Sequence, residues 1–280
     1  MSQSLFLLLA GLAFGVVATG CGREPRAVAD DARTKAELEK VAQRRVFFGH
    51  QSVGVNVMEG LSRLATQNGV PLRIAEVQAK EGVPAATFGH AFVAENGDPR
   101  RKLKSFEEAF ETGAAAQAEL ALVKFCYVDF GVDTDAAALF ADYEASMARL
   151  RARHPDVTFV HVTVPINGLA TDLKSRVKRL LGRPSWELAA NARRDDFNNL
   201  LRQAYQGKEP IFDLARVEAE RPDGTLETAD FQGRAVPVLR SGYTHDGGHL
   251  NAEGQERAAR ALVSALAAAP VARTARAENE

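Results

Sequence analysis

Ser52, Asp246 and His249 are the residues of this chain best placed by type and spacing to do chemistry. Ser52 lies in Phe47-Phe48-Gly49-His50-Gln51-Ser52-Val53-Gly54, after a short strand-like run and ahead of a helical pattern. Asp246 and His249 lie in His245-Asp246-Gly247-Gly248-His249-Leu250-Asn251, just before the last helical pattern. A serine hydroxyl is a weak nucleophile until a base takes its proton, and an imidazole serves best when a carboxylate fixes its tautomer. The three together suit acyl transfer through an acyl-serine. Two plainer roles compete with this one. Ser52 has the position of a helix cap, and Asp-Gly-Gly is good turn sequence. The glycines flanking Ser52 and the late Asp-His pair favour the nucleophile.

The elements that must bring these residues together alternate. Arg44-Phe48 reads as a strand, and Val53, Val57, Leu61 and Leu64 then recur at helical spacing. Leu72-Val77, Leu120-Tyr127, Val157-Val164 and Ile211-Leu214 supply four more strand candidates. Helices are expected over Asp98-Phe110, Ala137-Arg153, Trp186-Tyr205 and Ala252-Ala268, the last capped by Asn251. Such alternation predicts a three-layer α/β/α sandwich around a five-stranded, mainly parallel sheet, of flavodoxin-like type. Ligands bind such sheets at the carboxyl ends of the strands. That rim holds Ser52, Asp129 and the end of the Thr163-Val164-Pro165-Ile166-Asn167 run. Asn191, Arg194 and Asn198 share one face of their helix, either solvated or bordering the cleft.

An early nucleophile after the first strand and a late Asp-x-x-His before the last helix resemble the SGNH/GDSL hydrolase superfamily, in a lipoprotein-type member. Asp246-Gly247-Gly248-His249-Leu250 matches the late block well. Gly49-His50-Gln51-Ser52 departs from the usual Gly-Asp-Ser. The resemblance implies ester hydrolysis without a cofactor, with Ser52, Asp246 and His249 catalytic, and an oxyanion hole completed by a glycine and an asparagine. Aligned on Asp129, Val128 stands where that asparagine is expected. Asn96 is the first substitute, with Lys124, His50 and Asn167 behind it. Gly89 or Gly97 would be the second-block glycine, and Gly54 lies beside the nucleophile. One missing oxyanion donor costs about 3 kcal/mol of transition-state stabilisation, so a replacement is expected. An acyltransferase acting on a glycan would use the same triad. A non-catalytic binding lipoprotein on this fold is a third reading, supported by the irregular early block.

The chain has 280 residues, 46% apolar and 25% charged, which suits one globular domain. A formal net charge of -1 creates no field that would gather nucleic acid. Leu5 to Val17 is nearly all apolar, and Ala18-Thr19-Gly20 leads to Cys21, in the manner of a signal peptide ending at a lipidated cysteine. Residues 1–20 are therefore expected to be a signal peptide, 21–35 the lipidated cysteine and a tether, 36–269 the catalytic domain, and 270–280 a flexible tail. Cys126, inside an apolar run, then has no disulfide partner and reads as a buried small hydrophobe. His245, Asp246 and His249 do not follow a metal-ligand spacing, and no metal is expected. The reading is a monomer anchored by lipid in the cell envelope, outer membrane favoured, whose partners are an ester substrate and the membrane.

Overall fold

The computed structural model describes residues 25–170 and 185–270. The expected signal peptide, Cys21 and residues 271–280 of the tail lie outside the described residues.

Five parallel strands form the central sheet: β1 (Arg45–His50), β2 (Arg73–Glu76), β3 (Thr87–Phe92), β4 (Leu120–Val123) and β5 (Thr158–Phe159). Their order is β2-β3-β1-β4-β5. The chain continues from β5 into β6 (His161–Val162), which pairs in parallel with β7 (Ile211–Phe212). Alternation decides what each strand buries. Val46 and Phe48 join one apolar cluster with Leu120, Leu122, Val160 and Val162. Phe47 points the other way, with Ala121, Val123 and Phe159, into a second cluster. The first face is covered by α2 (Val53–Gln67) and α7 (Ala252–Ala268), with α1 (Pro25–Ala42) packed on α7. The second is covered by α3 (Pro99–Glu111), α4 (Ala136–Arg153) and α5 (Trp186–Tyr205). The molecule is a three-layer α/β sandwich, as the alternation predicts.

Four details differ from the sequence expectation. Thr87–Phe92 is a central strand, with partners on both sides. Its Gly89-His90 pair interrupts the apolar run that would have betrayed it. A Cβ at Gly89 would press on Val77, Val83 and the Val46 carbonyl, so this glycine keeps the strands and their cover in close contact. Leu120-Tyr127 is strand only to Val123, because the chain curls into a short 3₁₀ turn over Tyr127–Asp129. The Asp129 carboxylate accepts the Cys126 N–H at 2.6 Å and makes that turn. The segment expected as a tether is helical from Pro25, and Thr34 within it is buried and accepts from Arg260 of α7 at 2.9 Å. Finally, β8 (Thr228–Phe231) and β9 (Arg234–Pro237) form an unexpected antiparallel hairpin after α6 (Leu214–Ala219). Its Val236 packs with Leu188 and Ala192 of α5.

Cys126 is buried and forms no disulfide among the described residues. Among the described residues, no helix is long and apolar enough to cross a membrane.

Candidate active site

β1 ends at His50 and α2 begins at Val53, so Ser52 sits on the turn between a central strand and its helix. The turn is sharp enough to hold Ser52 at φ 45°, ψ −108°. That region is sparsely populated by residues other than glycine, and such strain costs about 1–3 kcal/mol. Ser52 makes no side-chain cap bond to α2. Its Oγ lies instead 2.7 Å from His249 Nε2. His249 Nδ1 lies 2.7 Å from Asp246 Oδ2. Residues separated by nearly the whole domain thus meet at one rim of the sheet.

The loop that carries Asp246 and His249 is held from within and from outside. Asp246 Oδ1 accepts the backbone N–H of Gly248 at 2.9 Å and of His249 at 2.8 Å. Thr244 Oγ1 accepts the Gly247 N–H at 2.9 Å. Asn56, one turn into α2, accepts the Leu250 N–H at 3.2 Å and so ties the helix behind Ser52 to the loop of the imidazole. Partial burial works against ionisation of Asp246. Hydrogen bonds from the His249 ring and from the His249 and Gly248 N–H groups overcome it and hold the carboxyl well below the usual carboxylate range. An ionised Asp246 fixes the proton on Nδ1 and leaves Nε2 free to accept the serine hydroxyl hydrogen. The His249 side chain is 46% exposed, so solvent reaches the imidazole.

The other residues singled out from the sequence fall into two groups. Gly54 lies on the first turn of α2, and its N–H donates to the Gln51 carbonyl at 2.9 Å. A Cβ there would come within 2.5 Å of His50 Cβ and 2.6 Å of its ring. His50 is fully buried beneath it, with Nε2 3.2 Å from His90 Nδ1. Burial, then the neighbouring His90 and Lys124, push its pKa down to about 3, so it stays neutral. Asn167 is buried at the end of the β6 segment, and its Nδ2 donates to the Gly247 carbonyl at 3.3 Å. Asn167 therefore touches the loop of the triad.

The donors of Gly97 and Lys124 are engaged elsewhere, whereas among the described residues Asn96 is held through its oxygen alone. Asn96 Oδ1 accepts from Lys102 Nζ at 2.7 Å. The Gly97 N–H donates to Asp129 at 2.8 Å. Lys102 and Asp129 form an ion pair at 2.7 Å with both side chains fully buried. It fastens the first turns of α3, which follows β3, to the turn after β4, the two strands that flank β1. Lys124 is buried, with Nζ donating to the Phe125 carbonyl at 2.9 Å and to Cys126 Sγ at 3.2 Å.

Sequence reasoning missed the support beneath the rim. Asn191, Arg194 and Asn198 are buried rather than solvated. Asn191 bonds both backbone groups of Asn167, at 2.9 and 2.8 Å. Asn198 does the same for Val164, at 2.7 and 3.0 Å. Arg194 donates to the carbonyls of Tyr127 at 3.0 Å and Phe130 at 3.3 Å. The spacing of three and four signalled a shared face, but not its burial. Tyr127, whose ring lies edge-on to His249 with centroids 5.9 Å apart, was also missed. A groove of about 580 Å³ runs beside the triad, lined by Tyr127, Asn167, Trp186, His245 and Gly247.

Glu218 of α6 completes this support. Its Oε2 accepts the Ile166 N–H at 2.7 Å, while Oε1 is buried without a partner among the described residues. Burial raises its pKa to about 8, against the pull of the Ile166 N–H, Lys124 and Arg194. Between the ordinary glutamate value and about 8, the folded state keeps a proton that the unfolded chain releases. Stability from this group is full below that window and falls as pH rises through it, by up to about 1.4 kcal/mol per pH unit. Urea unfolding from pH 5 to pH 8 is therefore expected to show a smaller loss of stability in Glu218→Gln than in the parent. Equal slopes would mean that Glu218 is ionised in the folded protein.

No protein-family model matches this chain, and no curated protein matches it. Among solved structures it is similar to a catalytic mutant of an acetylxylan esterase from Geobacillus stearothermophilus, at 13% identity and a TM-score of 0.41, over 82% of this chain and 97% of that one. A second acetyl xylan esterase, AlAXEase, matches at 14% identity and a TM-score of 0.44, over 79% of this chain and 98% of that one. The periplasmic domain of a lipopolysaccharide acetyltransferase from Salmonella ser. Paratyphi A matches at 14% identity and a TM-score of 0.40, over 77% of this chain and 80% of that one. The likeness is one of chain architecture.

Proposed function

We propose that this protein is a serine esterase of SGNH type. The observation that carries the reading is the continuous hydrogen-bonded line from Ser52 Oγ through His249 to Asp246, at 2.7 Å for each link. Ser52 Oγ attacks the ester carbonyl as its proton passes to His249 Nε2. The imidazolium, steadied by Asp246, gives that proton to the departing alkoxide, and an acyl-serine remains. Water then attacks the acyl carbon, its proton passing to His249 and on to Ser52, which is released with the acid. In α2 the N–H groups of Gly54 and Val55 already donate to the carbonyls of Gln51 and Ser52. The oxyanion therefore falls to the N–H groups of Ser52 and Val53, at the positive end of the helix. No cofactor enters this sequence.

The half-exposed His249 favours hydrolysis over transfer, because water has an open path to the acyl-serine. The substrate class is O-acyl groups on envelope carbohydrate or lipid, in keeping with the leader-like Leu5–Gly20 run and Cys21. A fluorophosphonate probe tests the enzyme class: Ser52 becomes labelled, and a folded protein that stays unlabelled would sink the reading. The address is tested separately. Cys21→Ser is expected to move the protein from the membrane fraction to the soluble fraction, and continued membrane association would refute a lipid anchor at Cys21.

A further inference from the structure

Tyr127 is held at the site by an arrangement that its fold position alone does not require. Its carbonyl is clamped by the buried Arg194 at 3.0 Å, and the guanidinium lies 6.0 Å from the centre of its ring. On the other side the ring meets His249 edge-on. The ring also lies close against Gly248 in the loop of the triad. A Cβ built at Gly248 would come within 2.7 Å of the tyrosine hydroxyl and 2.8 Å of its ring. The second glycine of Asp246-Gly247-Gly248-His249 is thus what lets Tyr127 rest beside the base.

The hydroxyl so placed has no hydrogen-bond partner among the described residues, and it opens onto the groove lined by Asn167, Trp186 and His245. Burial, then the nearby Asp246 carboxylate, raise its pKa, which keeps it a neutral O–H donor. Beside it Val128 is exposed and offers no polar group. A hydroxyl whose backbone is held by a buried arginine, and which has no acceptor among the described residues, is suited to an acceptor on the substrate.

Resting on the esterase reading above, we infer that Tyr127 is a specificity-determining residue whose hydroxyl binds a hydroxyl on the alcohol side of the scissile ester. The side follows from the proton path. His249 delivers its proton to the departing oxygen, so the alcohol lies over the imidazole that Tyr127 flanks. A group two carbons from that oxygen comes within reach of the tyrosine. A site that hydrogen-bonds a substrate hydroxyl rejects the analogue lacking it, because its own polar group is then left unpaired.

The test compares two acetates that differ by one hydroxyl, ethylene glycol monoacetate and ethyl acetate, with the full domain and its Tyr127→Phe variant. The variant keeps the ring and its packing, so its melting temperature should match the parent. The parent is expected to prefer the glycol ester. Tyr127→Phe should lower kcat/KM for that ester on the order of 10- to 100-fold and change ethyl acetate by no more than about twofold. Equal losses on both esters would make Tyr127 a general positioning residue and overturn the inference, as would no loss on either. Failure of the esterase reading is separate: it shows as a wild-type Ser52 that no fluorophosphonate labels. A labelled Ser52 with equal effects on the two esters brings down the Tyr127 inference alone.

Discussion

Ser52→Ala is expected to lower kcat for a chromogenic acetate by about 10⁴- to 10⁶-fold and to abolish fluorophosphonate labelling, with the fold intact. The magnitude is that of losing the nucleophile from a triad, where the residual rate comes from the donors and binding groups that remain. The fold survives because Oγ makes no cap bond to α2. Its bond is to His249, a half-exposed side chain. Ser52→Gly separates the chemistry from the backbone cost. It is equally inactive, but it relieves a residue held at φ 45° and should raise stability by about 1 kcal/mol. Retention of turnover in Ser52→Ala would place the chemistry elsewhere. A lower melting temperature in Ser52→Gly would show that the turn is not under strain.

Lys102→Ala is expected to cost about 3–5 kcal/mol, or roughly 6–20 °C in melting temperature, the second large effect. Lys102 and Asp129 are both fully excluded from solvent, so no water screens the pair, and removing the lysine strands a buried carboxylate. Asp129 would keep its bonds from the Gly97 and Cys126 N–H groups. The amide of Asn96 would lose its partner. Replacing both charges, as Lys102→Met with Asp129→Leu, should cost less than the single change, because no bare charge remains. Equal losses in the single and double variants would show that the charges contribute nothing as a pair. The pair links α3 and the Asn96 loop before it to the turn after β4, on either side of the Ser52 strand, so Lys102→Ala should also reduce turnover at temperatures where the protein is still folded.

Strand-helix alternation was legible wherever an apolar run had one period. Leu120-Val123 and Ala252-Ala268 are of this kind, and so is the Asn251 cap, which accepts the N–H groups of Glu253 and Gly254 at 3.1 Å. Thr87–Phe92 was not legible, because Gly89 and His90 break its pattern, and only neighbours on both sides make it a strand. The Pro25–Ala42 helix escaped for a related reason. It is polar along most of its length and gains its stability from packing on α7.

At the site, the three residues that meet, Ser52, His249 and Asp246, could be picked out from the chain, since each carries a chemistry-bearing side chain beside a turn that exposes it. Their surroundings could not. Gly97 and Lys124 were reasonable oxyanion donors by type, and in the structure the Gly97 N–H and the Lys124 ammonium are engaged elsewhere, while among the described residues Asn96 is held only through its oxygen. Asn191 and Arg194 read as either solvated or bordering the cleft, and the structure makes them buried braces for the rim. Whether an amide or a guanidinium is solvated, braced or free to meet a substrate depends on which distant backbone lies against it. That pairing is a property of the assembled layers, and residue type and spacing carry no record of it.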